Sequence, residues 1–554
     1  MLNRSAAHQS SQRQRIGQIL SLFCACLFLV ISCSQRPAPI ASVGSQKPDA
    51  SHGRITIGTT LKPRLLDPAD AYEIQSLGLI YNMSDRLYTY KQGTIELIPQ
   101  LATALPKVSS DGLTYTIPVR KGVIFHDGTA FNAAAMAFSL QRFIKNAGKP
   151  SFLLSDVVAS VKATGEYELS IKLKKPFAAF PSLLAFAGAC AVSPKAYEIG
   201  VGKFKPDIFV GTGPYKLAQY NTDSLRFDVF DRYWGEKPAN RGINLQIFDN
   251  NSANLYNSFR TGAVDVAYLS LDPDQIRSLA ADAKNRDYQV SAVQGSVINY
   301  LILNSTQKPL DNPAVRQAIA MMMDRQLMNQ RVLYGQAEPL YSLIPTTLDV
   351  YQPVFRAKYG DGNIEKAKQL LNQSGYSQKN PLKLELWYEA NEPTWGLAAV
   401  TLEALAKERL GGLLKFELNA VEATTAFKEL GNGIYPTFLL DWYPDFLDPD
   451  NYIEPFLACE KGSKAKGCEQ GPSKTQGAFY YSERVNQLIN QERQEQNPKQ
   501  RQKIFAEIQD QLAQDVPYIP LWQNKDYVFG QKGITGIDLS PTQFLPYLKI
   551  REQG

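Results

Sequence analysis

The sequence predicts an α/β fold divided over more than one domain, and three observations carry that expectation. The chain has 554 residues, whereas a single hydrophobic core rarely grows beyond about 250–300 residues. Hydrophobic residues make up 44% of it and charged residues 20%, a balance that supplies enough apolar surface for several cores. Segments alternating apolar and polar with period two are interleaved with segments of helical period, and there is no internal repeat.

The elements follow in order. Arg54-Ile55-Thr56-Ile57-Gly58-Thr59 alternates as a strand. Thr114-Tyr115-Thr116-Ile117-Pro118-Val119 is a second strand, ended by Arg120-Lys121-Gly122. Asn132 is placed to cap a helix from Ala133 to Asn146. Leu169–Leu173 and Leu225–Phe230 alternate cleanly, and Gly211-Thr212-Gly213-Pro214 reads as a tight turn entering a strand at Tyr215. Pro313, after Asn312, suits the first turn of a helix running through Met323. A helix from Ile364 to Ser374 closes at Gly375, a strand runs from Leu382 to Tyr388, and a helix from Gly396 to Leu410. Two polar helices, Ser482–Glu495 and Pro498–Gln514, come late in the chain.

The N-terminus has the marks of an export signal. Arg4, Arg13 and Arg15 precede an apolar run from Ile19 to Ile31 with no acidic residue before it. That run is too short for a bilayer, which needs about 20 residues, and it fits the apolar core of a signal peptide. Val30-Ile31-Ser32-Cys33 resembles a bacterial lipobox. The resemblance implies cleavage after Ser32, a diacylglycerol on the Cys33 thiol and a protein held outside the cytoplasmic membrane. Residues 33–53, with Pro37, Pro39 and a run of Ser, Gly, Gln and Lys, form the expected disordered tether.

Removing residues 1–32 lowers the formal charge from +6 to +3, which is no footprint of nucleic-acid binding. No other apolar run approaches membrane length. Of the six cysteines, Cys24 and Cys26 leave with the signal and Cys33 takes lipid. Cys459 and Cys468 bracket a Gly/Lys-rich loop, and in an oxidising compartment a local disulfide worth ~2–3 kcal/mol is expected. A metal site is the rival, disfavoured because no histidine is near. Cys190, in Leu183-Leu184-Ala185-Phe186-Ala187-Gly188-Ala189-Cys190, reads as a buried free thiol.

Catalytic patterns are missing. Only His52 and His126 survive cleavage, so a histidine triad has one candidate base in the body. The sequence has no Gly-x-Ser-x-Gly elbow, no His-Glu-x-x-His and no Gly-x-x-x-x-Gly-Lys-Ser/Thr loop. Pro214 removes a backbone donor that a phosphate cradle at Gly211–Gly213 would need. Asp441, Asp445, Asp448 and Asp450 lie close in sequence, as carboxylates do in many chains of this size. No enzyme activity, metal or cofactor is expected.

A family resemblance rests on nine segments in order. Lys121-Gly122-Val123-Ile124-Phe125-His126-Asp127-Gly128-Thr129-Ala130-Phe131-Asn132, followed by Ala137-Phe138-Ser139-Leu140-Gln141-Arg142, is the longest. Gly211–Tyr215, Tyr233-Trp234-Gly235-Glu236-Lys237-Pro238 and Arg260-Thr261-Gly262-Ala263-Val264-Asp265 follow. Then come Leu303–Thr306, Asp311–Ile319, Glu365–Leu371, Asp448-Pro449-Asp450-Asn451 and Asp515–Leu521. Together they resemble the extracellular solute-binding protein family 5, the dipeptide/oligopeptide class of ABC importers, over about residues 54–550. The resemblance implies a two-lobe periplasmic-binding-protein clamshell (type II, cluster C-like) with an extra small α/β domain. Lobe one is expected at 54–83, 206–293 and 520–554, the extra domain at 84–205, and lobe two at 294–519, with hinges near 294 and 520. His126 falls in a turn of the extra domain, away from the cleft. The implied function is a monomeric, lipid-anchored, periplasmic receptor that captures peptides and passes them to a membrane permease with its ATPase subunits. Other cargo of the family (a nickel chelate, an oligosaccharide, an opine) is the alternative, and an exported hydrolase the rival of another class.

A free peptide is a zwitterion, and burying its ammonium without a partner costs several kcal/mol. In the family that partner is an aspartate of a Trp-x-x-Asp segment. Here Leu439-Leu440-Asp441-Trp442-Tyr443-Pro444-Asp445 matches, with Asp445 as the carboxylate and Trp442 and Tyr443 beside it. Pro444 departs from the small residue usual there. Asn299 and Tyr300 are expected on the strand crossing into lobe two, where their backbone could pair with an extended peptide. An Arg or Lys should meet the peptide carboxylate, and the sequence does not single it out.

Overall fold

Eleven strands join into one large mixed sheet in the computed structural model, which describes residues 53–269, 271–390, 392–542 and 544–553. The export segment, Cys33 and almost all of the tether lie outside the described residues. In chain order the strands are β1 (Ile55–Thr59), β2 (Tyr215–Tyr220), β3 (Ser224–Val229), β4 (Gly242–Ile247), β5 (Val266–Tyr268) and β6 (Gln289–Leu303). They continue with β7 (Ala337–Pro339), β8 (Leu382–Glu389), β9 (Leu414–Val421), β10 (Thr437–Trp442) and β11 (Tyr518–Gly530). The spatial order is β9-β8-β10-β6-β11-β5-β1-β4-β3-β2, with β7 paired to β11 off this row. β1 runs parallel to β4 and β5, and β8 parallel to β9 and β10, while β6 lies antiparallel between β10 and β11.

β6 and β11, of 15 and 13 residues, run through both halves of the molecule. At one end Tyr300, Leu301, Ile519 and Trp522 belong to a core built from residues 298–522. At the other, Val528 joins a core made of residues 55–268, Phe446 and the C-terminal segment, and Phe529 joins a small third cluster. The register slips between Gln294 and Ile298. Gly295 sits in that slip, where a Cβ would lie 2.3 Å from Asp526 Oδ2, so a larger residue there would have to displace the Asp526 side chain.

A separate four-stranded sheet, ordered Lys107–Val108, Thr114–Pro118, Glu168–Leu173 and Val158–Gly165, packs under the helix Ala133–Lys145. Asn132 caps that helix, its side chain accepting from the Ala135 amide at 3.0 Å. Asn312 does the same for the helix Pro313–Met322. The helix expected from Gly396 begins earlier, at Pro393, because proline suits the first turn and costs no hydrogen bond there.

The recurring motifs turn out to be structural ties. Arg142 grips the buried Asp67 with two bonds of 2.7 and 2.6 Å, joining the helix of the small sheet to the loop after β1. Asp85 is fully buried and accepts from Thr212, Tyr233, Trp234 and Gln100. His126 accepts from the Gly211 amide on Nδ1, which leaves Nε2–H to donate to Gly213 O at 3.0 Å. Burial pushes that imidazole down to about 4, so it stays neutral and serves as a cross-link rather than a base. Arg316 closes a turn by donating to the Leu310 and Asp515 carbonyls. A disulfide joins Cys459 and Cys468 with their Cα atoms 5.7 Å apart, and Cys190 is a buried free thiol whose pKa burial pushes up to about 11.

Candidate functional site

A partly open cavity of about 340 Å³ lies where three parts of the chain converge. The helix Ile74–Met83 with Tyr72 before it, and Pro541, Thr542 and Phe544 near the C-terminus, form one wall. Thr89, Tyr90 and Ala185–Ala187 form the second. The third is the segment from Asp441 to Leu447, with Phe427 of the helix Ala423–Leu430. Ser296, at the slip in β6, lies at the junction. The lining is mostly apolar, and its few polar groups are the kind that orient a small ligand.

β10 delivers the third wall. It is buried from Thr437 to Leu440 and reaches the cavity at Asp441 and Trp442. The chain then turns through Tyr443 and Pro444 to Asp445. Asn451 holds this turn: its Oδ1 accepts the Asp445 amide at 2.8 Å and the Trp442 indole N–H at 3.4 Å. Asn451 is itself buried in the short helix Pro449–Tyr452, whose N-cap Asp448 is clamped by Arg501 at 2.6 and 2.8 Å. The Asp-Pro-Asp-Asn motif therefore shapes the Trp442–Asp445 loop around Pro444. Trp442 packs edge-on against Phe456 at 5.3 Å, which leaves its ring as a wall of the cavity.

Asp445 is partly buried. Burial pushes its carboxyl up to about 6, against hydrogen bonds from Tyr72 and Asn451 that favour the ionised form. Among the described residues no Lys, Arg or His forms an ion pair with it. Asp441 is pushed to about 7 by burial and then by Glu392, with a further push from Glu389. The cavity thus holds two carboxyls, both raised, and no described residue lining it is basic. The Arg or Lys expected for a peptide carboxylate is not among those residues.

Asn299 and Tyr300 are placed differently from the expectation. Their strand β6 has β10 on one side and β11 on the other: Asn299 pairs with Asp441 and Trp522, and Tyr300 with Leu440 and Pro520. A strand bonded along both edges has no edge left for an added peptide. Tyr300 is fully buried, and its hydroxyl donates to the Asp441 carbonyl at 3.2 Å. Asn299 donates to Asn524 Oδ1 at 2.9 Å. Tyr300 supports Asp441 from behind, and neither residue is among those lining the cavity. Sequence reasoning missed Tyr72, Tyr81, Tyr90, Phe186 and Phe544, which face the loop across the cavity. Each sits in a segment that reads locally as core, and only its meeting with the 441–447 loop makes it part of a site.

No helix among the described residues is long and apolar enough to cross a membrane, and those residues contain no cluster of three His, Cys, Asp or Glu able to hold a metal ion. Paired long strands thus cross between two hydrophobic cores, and a ligand-sized cavity lies where three segments of the chain converge. The chain belongs to the bacterial extracellular solute-binding proteins, family 5, whose middle-region pattern matches residues 96–464. It is 28% identical over 521 residues to the glutathione-binding protein GsiB of Pectobacterium atrosepticum, covering 90% of this chain and 94% of that protein. Its fold matches DppA of Helicobacter pylori in complex with the peptide STSA, with a TM-score of 0.75 at 23% identity over 91% of this chain and 98% of the other. A dipeptide-binding protein of Pseudoalteromonas in complex with Met-Leu matches with a TM-score of 0.74 at 22% identity over 90% and 100%. The two-lobe clamshell is therefore the fold of this chain.

Proposed function

We propose that this chain is the peptide receptor of an ABC importer, anchored by lipid on Cys33 outside the cytoplasmic membrane. One observation carries the peptide reading: a partly buried carboxylate with no cationic partner among the described residues, Asp445, faces a partly open, mostly apolar cavity. An ammonium is the group that such a carboxylate lacks. The named ligands of its relatives, glutathione and short peptides, carry one.

Capture is a population shift. A ligand touching both lobes binds the closed state more tightly and draws the protein into it. The hinge belongs at the crossing strands, near the slip between Gln294 and Ile298 and the facing stretch of β11. With that hinge, lobe one comprises about 54–83, 206–293 and 520–554, the extra domain 84–205 and lobe two 294–519. The closed receptor, a monomer, then docks on the permease. This reading assigns binding without turnover, and His126, held in a structural cross-link, takes no part in it.

Native mass spectrometry of the purified protein tests the reading by identifying retained cargo. Calorimetry with a peptide mixture should show saturable binding, with every peptide recovered intact. Cleavage products that scale with protein would place the chain among hydrolases instead. Cys33→Ala should leave the protein unprocessed or soluble. A variant still membrane-bound at mature size would remove the lipid anchor.

A further inference from the structure

We infer that the cavity selects cationic, apolar-bodied peptides and binds no ligand carboxylate. The inference rests on the peptide reading above and narrows its substrate class. Three observations carry it.

The first is charge. Asp441 and Asp445 both line the cavity, and none of the described lining residues is Lys, Arg or His. The cations close behind the walls are already engaged. Arg86 is 1% exposed and lies 4.4 Å behind the ring of Tyr81, beside Asp85. Arg493 is turned onto the Phe177 ring at 4.6 Å and onto Asp450 and Glu454. Neither presents a guanidinium to the space. A carboxylate placed there meets two acidic side chains and no basic one, whereas an ammonium meets two carboxyls that accept from it.

The second is the apolar body of the cavity. Aromatic rings come from every wall, with Tyr81 and Phe544 packed together at 5.2 Å on one of them. Such rings take an apolar side chain by burial and a cation by their faces.

The third is the mouth. Phe427 and Tyr443 line the cavity yet stand 60% and 47% exposed. Large aromatics held out at a cavity rim are surface for a ligand that extends outward. With a volume of about 340 Å³, at the small end of ligand pockets, the cavity takes the N-terminal part of a short peptide. The peptide's C-terminal end leaves between Phe427 and Tyr443 into water.

A charge ladder of small peptides at pH 7 tests this by calorimetry on the purified protein. The probes are phenylalanyl-leucine, its C-terminal amide, lysyl-phenylalanine amide and glutathione. The amide should bind at least as tightly as the free acid, lysyl-phenylalanine amide at least tenfold tighter than the acid, and glutathione at least a hundredfold more weakly than either amide. Amidation that weakens binding tenfold, or glutathione binding within tenfold of the amides, overturns the inference and leaves the peptide receptor standing. Failure of all four to bind overturns both. Asp441→Asn should narrow the gap between lysyl-phenylalanine amide and the free acid at least fivefold. An unchanged gap removes Asp441 from the selection.

Discussion

Replacing Asp445 by asparagine isolates the charge at the centre of the cavity. The side chain keeps its shape, and the backbone amide at this position keeps its bond to Asn451 at 2.8 Å. A ligand ammonium about 4 Å away, at an effective dielectric near 20, is attracted by about 4 kcal/mol. That agrees with the ~3–5 kcal/mol lost when one member of a buried ion pair is removed. Asparagine retains one acceptor, so a loss of about 3 kcal/mol, roughly a hundredfold in Kd, is the lower bound. The empty protein should respond in the opposite direction. Holding the carboxyl ionised against a shift from 3.8 to about 6 costs about 3 kcal/mol at pH 8. The neutral amide of asparagine carries no such cost. The assay is calorimetry with a free-amine peptide and its N-acetylated form, beside thermal unfolding of the empty protein. Asp445→Asn should bind the free amine at least a hundredfold more weakly, distinguish poorly between the two peptides, and unfold at a higher temperature. Equal affinity of wild type and variant for both peptides would refute the role given to Asp445.

Further outcomes follow from the same contacts. Because Asp445 titrates near 6, affinity for a free-amine peptide should fall about tenfold between pH 7 and pH 5 as the carboxyl is protonated. Both raised carboxyls make the empty fold less stable as pH rises, from about 4 through 6 for Asp445 and through 7 for Asp441. The midpoint shift caused by ligand should therefore widen toward pH 8, and calorimetry and thermal scans across that range check both. Asp67→Asn strands the buried Arg142 and should lower the unfolding free energy by ~3–5 kcal/mol in urea titration. Cys459→Ser with Cys468→Ser opens the loop of sequence separation 9 and should cost ~2–3 kcal/mol of stability. Peptide affinity should stay unchanged, because the hairpin does not line the cavity.

The sequence by itself determined whatever is local. Alternation marked the strands, because a period of two puts one face of each into a core. Asn132 and Asn312 marked helix starts, because a cap needs only the amides two or three residues on. The nine ordered segments marked the family, and Trp442 with Asp445 the cavity wall. Tertiary structure alone decided what those residues meet. Asn299 and Tyr300 lie on a strand that reads as a possible edge, yet β10 and β11 occupy both sides of it, and strand order is a matter of topology. Tyr72, Tyr90 and Phe186 face Asp445 from segments more than 250 residues away in the chain, so no local pattern could pair them. The absence of a basic residue among the described lining was equally out of reach. The chain carries 59 Lys and Arg, and only the packing of Arg86 behind Tyr81 and Arg493 onto Phe177 turned two of them from the cavity. A charge acts over a few ångströms in space, and distance in space is what the order of residues does not state.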